Sequence, residues 1–115
     1  MSVDYTTFQD SELTLPKPNG DIDHEIDFDT PDADPGKSAV LSFQANPNGG
    51  APTLALIVNN NTVTTVTFGN DTRRVWQENL NQSILDGIDP NTLRLRVTGG
   101  GSVSVSDFHL LYKKL

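Results

Sequence analysis

The sequence predicts an all-β protein, a jelly-roll-type antiparallel β-sandwich of about eight strands, with residues 1–115 forming one domain. Three observations carry this. Residues 51–68 (APTLALIVNNNTVTTVTF) read as two strands joined by an asparagine turn. Residues 21–29 and 92–98 alternate apolar and polar side chains with a period of two, as strands with one buried face do. Gly, Pro, Asn, Asp, Ser and Thr punctuate the chain at short intervals, which favours short strands and tight turns over helices.

Taken in order, residues 1–15 hold one edge strand, in which Leu13 and Leu15 alternate with Glu12 and Thr14. Pro16 to Gly20 form a turn that no helix can cross. In residues 21–29 (DIDHEIDFD), Ile22, His24, Ile26 and Phe28 share one face, and Asp21, Asp23, Glu25, Asp27 and Asp29 the other. Those carboxylates repel one another, so the face needs solvent, cations or basic neighbours. In the loop that follows (DTPDADPG), Asp29, Asp32 and Asp34 offer oxygens to a calcium ion. Their spacing is not that of the twelve-residue EF-hand loop, and Asp beside Pro and Gly also serves ordinary turns.

Residues 38–45 form the next strand, with Ala39, Leu41, Phe43 and Ala45 on one face, and residues 46–50 form a flexible loop. In residues 51–68, Leu54, Leu56 and Val58 oppose Ala55 and Ile57, so both faces are apolar, as in a strand buried on both sides. Asn59, Asn60 and Asn61 make the turn, because Asn tolerates positive φ, and residues 62–68 return as a β-branched strand. Residues 73–80 read as a strand followed by a short helical turn over 82–85. Trp76, Leu80, Ile84 and Ile88 at four-residue steps leave a longer helix as the alternative. In residues 92–98, Leu93, Leu95 and Val97 point in and Arg94 and Arg96 out. In the last strand, residues 102–113, Val103 and Val105 lie on one parity and Phe108, Leu110 and Tyr112 on the other. Either a bulge near Ser106 resets the register, or a partner holds Asp107 inside.

The net charge of −7 is unevenly spread: residues 1–36 carry −9 and residues 37–115 carry +2. Such a surface repels phosphate backbones, which excludes nucleic acid as a partner. No apolar run is long enough to span a bilayer, so no membrane partner is expected. There is no cysteine, hence neither disulfide nor thiolate chemistry. The polar start MSVDYTTFQD has no apolar leader segment. It reads as cytoplasmic as synthesised, and extracellular only by another export route or after removal of a leader. The three Asn-x-Ser/Thr tripeptides are read as turn chemistry.

Three segments carry a resemblance. APTLALIVNNNTV is similar to the strand and turn that galactose-binding-like domains and carbohydrate-binding modules write as apolar-x-apolar-x-V-N-x-x-x-V. SILDGIDPNTLRLRV resembles their slL-x-G-x-N-t-L-x-l-x-V segment, with Ile88-Asp89-Pro90 inserted before Asn91, and SVSVSDFHLLY resembles their closing strand. The match covers roughly Leu41 to Tyr112. The resemblance implies a jelly-roll sandwich, carbohydrate as partner, and a structural calcium ion held by Asp107 with Glu12 or Asp10.

A sugar site needs an aromatic face beside hydrogen-bonding side chains. Trp76, with Arg73, Arg74 and Asn70 near it in sequence, is the candidate ligand-binding group, against packing of a lone tryptophan in the core. His24 and His109 lack the His-x-His spacing of a cupin metal centre. No nucleophile–histidine grouping or phosphate-cradling glycine loop is present, so no enzyme is expected. Two functions stay open: a non-catalytic carbohydrate-binding module, and a structural or assembly subunit, capsid- or appendage-like, in a homo-oligomer.

Overall fold

The computed structural model describes residues 2–9, 12–34, 36–68, 74–81, 84–85 and 90–115, and of Ser2, Phe8, Gln9, Arg74 and Trp76 only the backbone. Nine strands are described: β1 (Ser2–Gln9), β2 (Leu13–Leu15), β3 (Asp23–Phe28), β4 (Ala39–Asn48), β5 (Thr53–Val58), β6 (Asn61–Thr67), β7 (Arg74–Leu80), β8 (Asn91–Thr98) and β9 (Ser102–Lys114). They form two antiparallel sheets. One runs β1-β9-β4-β7, with β2 also on β9; the other runs β3-β8-β5-β6. Apart from β1 to β2 and the β5–β6 hairpin, successive strands step from one sheet to the other, which is the all-β sandwich expected. No helix occurs among the described residues.

The period-two alternation is the physical cause of the layering. Leu41, Phe43 and Ala45 of β4, Leu54, Leu56 and Val58 of β5, Leu93, Leu95 and Val97 of β8 and Val103, Val105, Phe108 and Leu110 of β9 are all buried between the sheets. Phe43 and Phe108 stack across neighbouring strands, with ring centroids 5.0 Å apart.

Three expectations are corrected. The start of the chain makes two strands on β9, not one, because β1 uses residues whose outer side chains stay in water. β4 continues through Pro47 to Asn48, paired with Val103 and Ser102. Pro47 falls beyond Ala45, the last β4 residue that pairs β7 among the described residues. β5 is buried on one face only, since Ala55 and Ile57 are half-exposed on the outside of their sheet. Over 74–80 the favoured strand reading holds and the alternative helix does not form: β7 pairs Ala39↔Leu80 through Ala45↔Arg74. The expected helical turn over 82–85 falls partly outside the described residues.

Two turns meet at one end of the sandwich. Gly49, Gly50, Gly99 and Gly101 all have positive φ. A Cβ on Gly101 would lie 1.9 Å from the Gly49 carbonyl oxygen, so no side chain fits between the two backbones. In the β5–β6 turn, Asn59 (φ 48°) and Asn60 (φ 66°) take the left-handed conformation of a two-residue hairpin.

Candidate functional site

The last strand places Asp107. Ser106 pairs with Gln44 and His109 with Ser42, so Asp107 and Phe108 together face Phe43. This is a bulge, with Asp107 at φ 55°. It moves the buried set from Val103 and Val105 to Phe108, Leu110 and Tyr112, which decides between the two sequence readings. The neighbouring edge is interrupted at the same level: β1 ends at Gln9↔Phe108 and β2 begins at Leu13↔Val105. Glu12 is exposed at the start of β2, and Asp10 lies outside the described residues. Among the described residues no three His, Cys, Asp or Glu side chains gather as metal ligands.

The acidic strand β3 has basic neighbours. Arg96 Nε donates to Asp23 Oδ1 at 2.6 Å and Nη2 to Oδ2 at 3.1 Å, while Arg94 holds Glu25 through Nε and Nη2. The hydrogen bonds from Arg96 keep the Asp23 carboxyl below its ordinary value. Thr92 donates to Asp27 at 3.3 Å. This face is therefore a charge ladder. In the following loop, Asp34 Oδ1 accepts the Gly36 N–H at 2.9 Å, which is turn chemistry.

The predicted ligand group can be followed only in part. Trp76 pairs with Phe43 and Arg74 with Ala45, but their side chains, and Asn70 and Arg73 altogether, lie outside the described residues.

The structure instead assembles an outer face on the five-stranded sheet. Tyr5, Leu111, Val40 and Asn79 form one row across β1, β9, β4 and β7. Thr7, His109, Ser42 and Gln77 form the next. Side chains on such a row stand about 5 Å apart. Tyr5 is 66% exposed and Leu111 49%. Thr7 Oγ1 and His109 Nδ1 lie 2.8 Å apart, which fixes the imidazole beside the tyrosine row. The arrangement gives an aromatic and aliphatic strip ending at Asn79, flanked by two hydroxyls, an imidazole and an amide. Sequence reasoning missed it because the row joins residues from four distant segments, and only the Val3-Tyr5-Thr7 parity hinted at it.

The fold is an antiparallel β-sandwich similar to that of solved carbohydrate-binding modules. The chain is similar in structure to the CBM36-1 domain of a multidomain xylanase from the hindgut metagenome of Trinervitermes trinervoides (15% identity, 97% of this chain and 99% of that one, TM-score 0.57). It is similar also to the carbohydrate-binding module CBM6cm-2 from Cellvibrio mixtus lichenase 5A, in complex with cellotriose (14%, 96% and 98%, TM-score 0.51). Dimeric latent PorU from Porphyromonas gingivalis matches at TM-score 0.72 and 11% identity over 95% of this chain, which spans only 12% of PorU. No protein-family model and no curated protein matches the sequence. No helix among the described residues is long and apolar enough to cross a membrane.

Proposed function

We propose that this chain is a non-catalytic carbohydrate-binding module and that the sugar lies along the outer face of the five-stranded sheet. The observation that carries the reading is Tyr5, two-thirds exposed, in a row with Leu111 and beside the Thr7–His109 pair. An exposed ring stacks on the C–H patch of a sugar, and the hydroxyl, imidazole and amide groups of the next row meet its hydroxyls. The complex of a structural neighbour with cellotriose supports this class of ligand. Titration of the protein with cellotriose and a panel of soluble plant polysaccharides is expected to show binding that Tyr5→Ala weakens about tenfold or more, roughly 1.4 kcal/mol. Trp76→Ala tests the Trp76, Arg73, Arg74 and Asn70 group separately. No binding across the panel ends the proposal; binding that only Trp76→Ala removes moves the site there.

Calcium is the metal that fits this reading, with Asp107, Glu12 and Asp10 as its carboxylates. The bulge at Asp107, level with the break between β1 and β2, supports that placement. Calcium takes about six to eight oxygens, so Asp10 and backbone carbonyls have to join the two described side chains. The ion would tie the interrupted edge to β9. The expected result is a rise in melting temperature with CaCl2 over EDTA that Asp107→Asn abolishes; equal melting temperatures in both remove the metal from the proposal.

A further inference from the structure

The tripeptide Pro-Asn-Gly occurs twice in the chain, at residues 18–20 and 47–49. An asparagine before glycine is open to attack by the next backbone nitrogen, because glycine has no Cβ to bar the approach. The two copies stand in different settings. Asn19 is exposed in the turn between β2 and β3, and nothing lies within 4 Å of where a Cβ on Gly20 would be. Its Oδ1 accepts the Asp21 N–H at 3.0 Å, which closes a ring through Gly20 N and bends the side-chain amide back toward that nitrogen. Its Nδ2 donates to Asp21 Oδ2, also at 3.0 Å. The Gly20 N–H rests on the Lys17 carbonyl at 2.8 Å, a turn bond in water that opens before Gly20 N reacts. Asn48 is the last residue of β4 and pairs with Ser102. Its Nδ2 donates to Ser104 Oγ of β9 at 3.1 Å, and the Gly49 carbonyl that follows is packed against Gly101.

We propose that Asn19 is a self-modifying site, which converts to a succinimide and then to aspartate and isoaspartate with Asp21 as the assisting group. Gly20 N bonds to Asn19 Cγ, and the Cγ–Nδ2 bond breaks. The proton lost from Gly20 N passes through the Asp21 carboxylate to Nδ2, which leaves as ammonia. The Asp21 N–H already faces Oδ1, where negative charge gathers as the carbonyl is attacked. Water then opens the ring at either carbonyl and returns a proton to the nitrogen, leaving aspartate or a main chain rerouted through Cγ. The product adds a negative charge to residues 1–36, which already carry −9, at the entry to the acidic strand β3. Asn48 has the same two neighbours, but its amide is tied to β9 and its backbone to the ladder, so it stays intact over the same period.

Peptide mass spectrometry on the folded protein, kept at neutral pH and sampled over weeks, tests this. The Asn19 peptide is expected to gain one mass unit, with isoaspartate detected in it by an isoaspartyl methyltransferase, about tenfold or more faster than the Asn48 peptide. In guanidinium chloride, where turn and ladder are both lost, the two asparagines are expected to convert at similar rates, since Pro and Gly flank both. Asp21→Ala keeps the backbone N–H and removes the carboxylate. It is expected to slow Asn19 about tenfold or more and to leave Asn48 as it was, with far-UV circular dichroism as the check on folding. The comparison in denaturant needs no variant, so it decides the matter should Asp21→Ala fail to fold. The proposal is overturned by equal rates in the folded protein, by a ratio that persists in denaturant, or by a folded Asp21→Ala protein that converts Asn19 as fast as the wild type.

Discussion

Asp107 re-aims the whole last strand, and it does so by accepting a conformation that side chains resist. Its φ of 55° is the left-handed region, which a short polar side chain tolerates and a β-branched one does not. Asp107→Val is expected to cost about 1–2 kcal/mol in urea denaturation, and Asp107→Gly to cost little. Asn91 is the second residue on which much depends. Fully buried, it donates from Nδ2 to Thr30 Oγ1 at 2.9 Å and accepts from Asn59 Nδ2 at 2.8 Å. Asn59 in turn accepts the Thr92 N–H and donates to the Ile84 carbonyl. Asn91→Leu is expected to cost about 1–3 kcal/mol, because it takes a partner from two polar groups. Asn59 was legible as a turn residue from its own neighbours. Its meeting with Asn91 was not, since that contact joins a turn to the first residue of β8, 32 residues away.

Among the elements, strands with one apolar and one polar face declared themselves. β3 and β8 follow the alternation residue by residue, and the β5–β6 hairpin follows its asparagines. β1 was harder to read, because an edge strand with Val3 and Tyr5 in water has no clear dry face. The candidate site was less legible still: sheet order decides which side chains become neighbours, and alternation carries no sheet order. The turns allow sharp tests. Gly101→Ala drives a methyl into the Gly49 carbonyl and is expected to lower the melting temperature by several degrees or to prevent folding. Asn60→Gly, at φ 66°, is expected to be neutral or to stabilise the hairpin by a few tenths of a kcal/mol, read from the urea midpoint.

For the whole molecule the titrating groups bound a window of stability. Burial pushes His24 below its ordinary 6.5, with Lys17 adding to the effect. The unfolded chain therefore takes up that proton first, and stability falls as pH drops below 6.5. Asp4, held low by the Tyr5 N–H, and Asp23, held low by Arg96, add a further loss as pH falls below 3.8. Burial raises Tyr112 above 10.0, so its contribution is full below that value and lost as pH rises through the folded one. Melting temperature against pH is expected to be flat between about 6.5 and 10 and to fall on both sides. His24→Gln is expected to remove the first acid step; an unchanged step would assign it elsewhere.

The charge ladder between β3 and β8 has a hidden ambiguity. Its acids recur every second residue, so sliding β3 by two positions would keep Ile26 and Phe28 inside and bring Glu25 to Arg96 and Asp27 to Arg94. Neither greasiness nor charge can tell the right rung from the wrong one. The hydrogen bond from Asn91 to Thr30 can, because only one alignment brings amide and hydroxyl together. A chain without that amide should therefore be not only weaker but plural, with doubled resonances for His24 and Ile26 from two coexisting alignments.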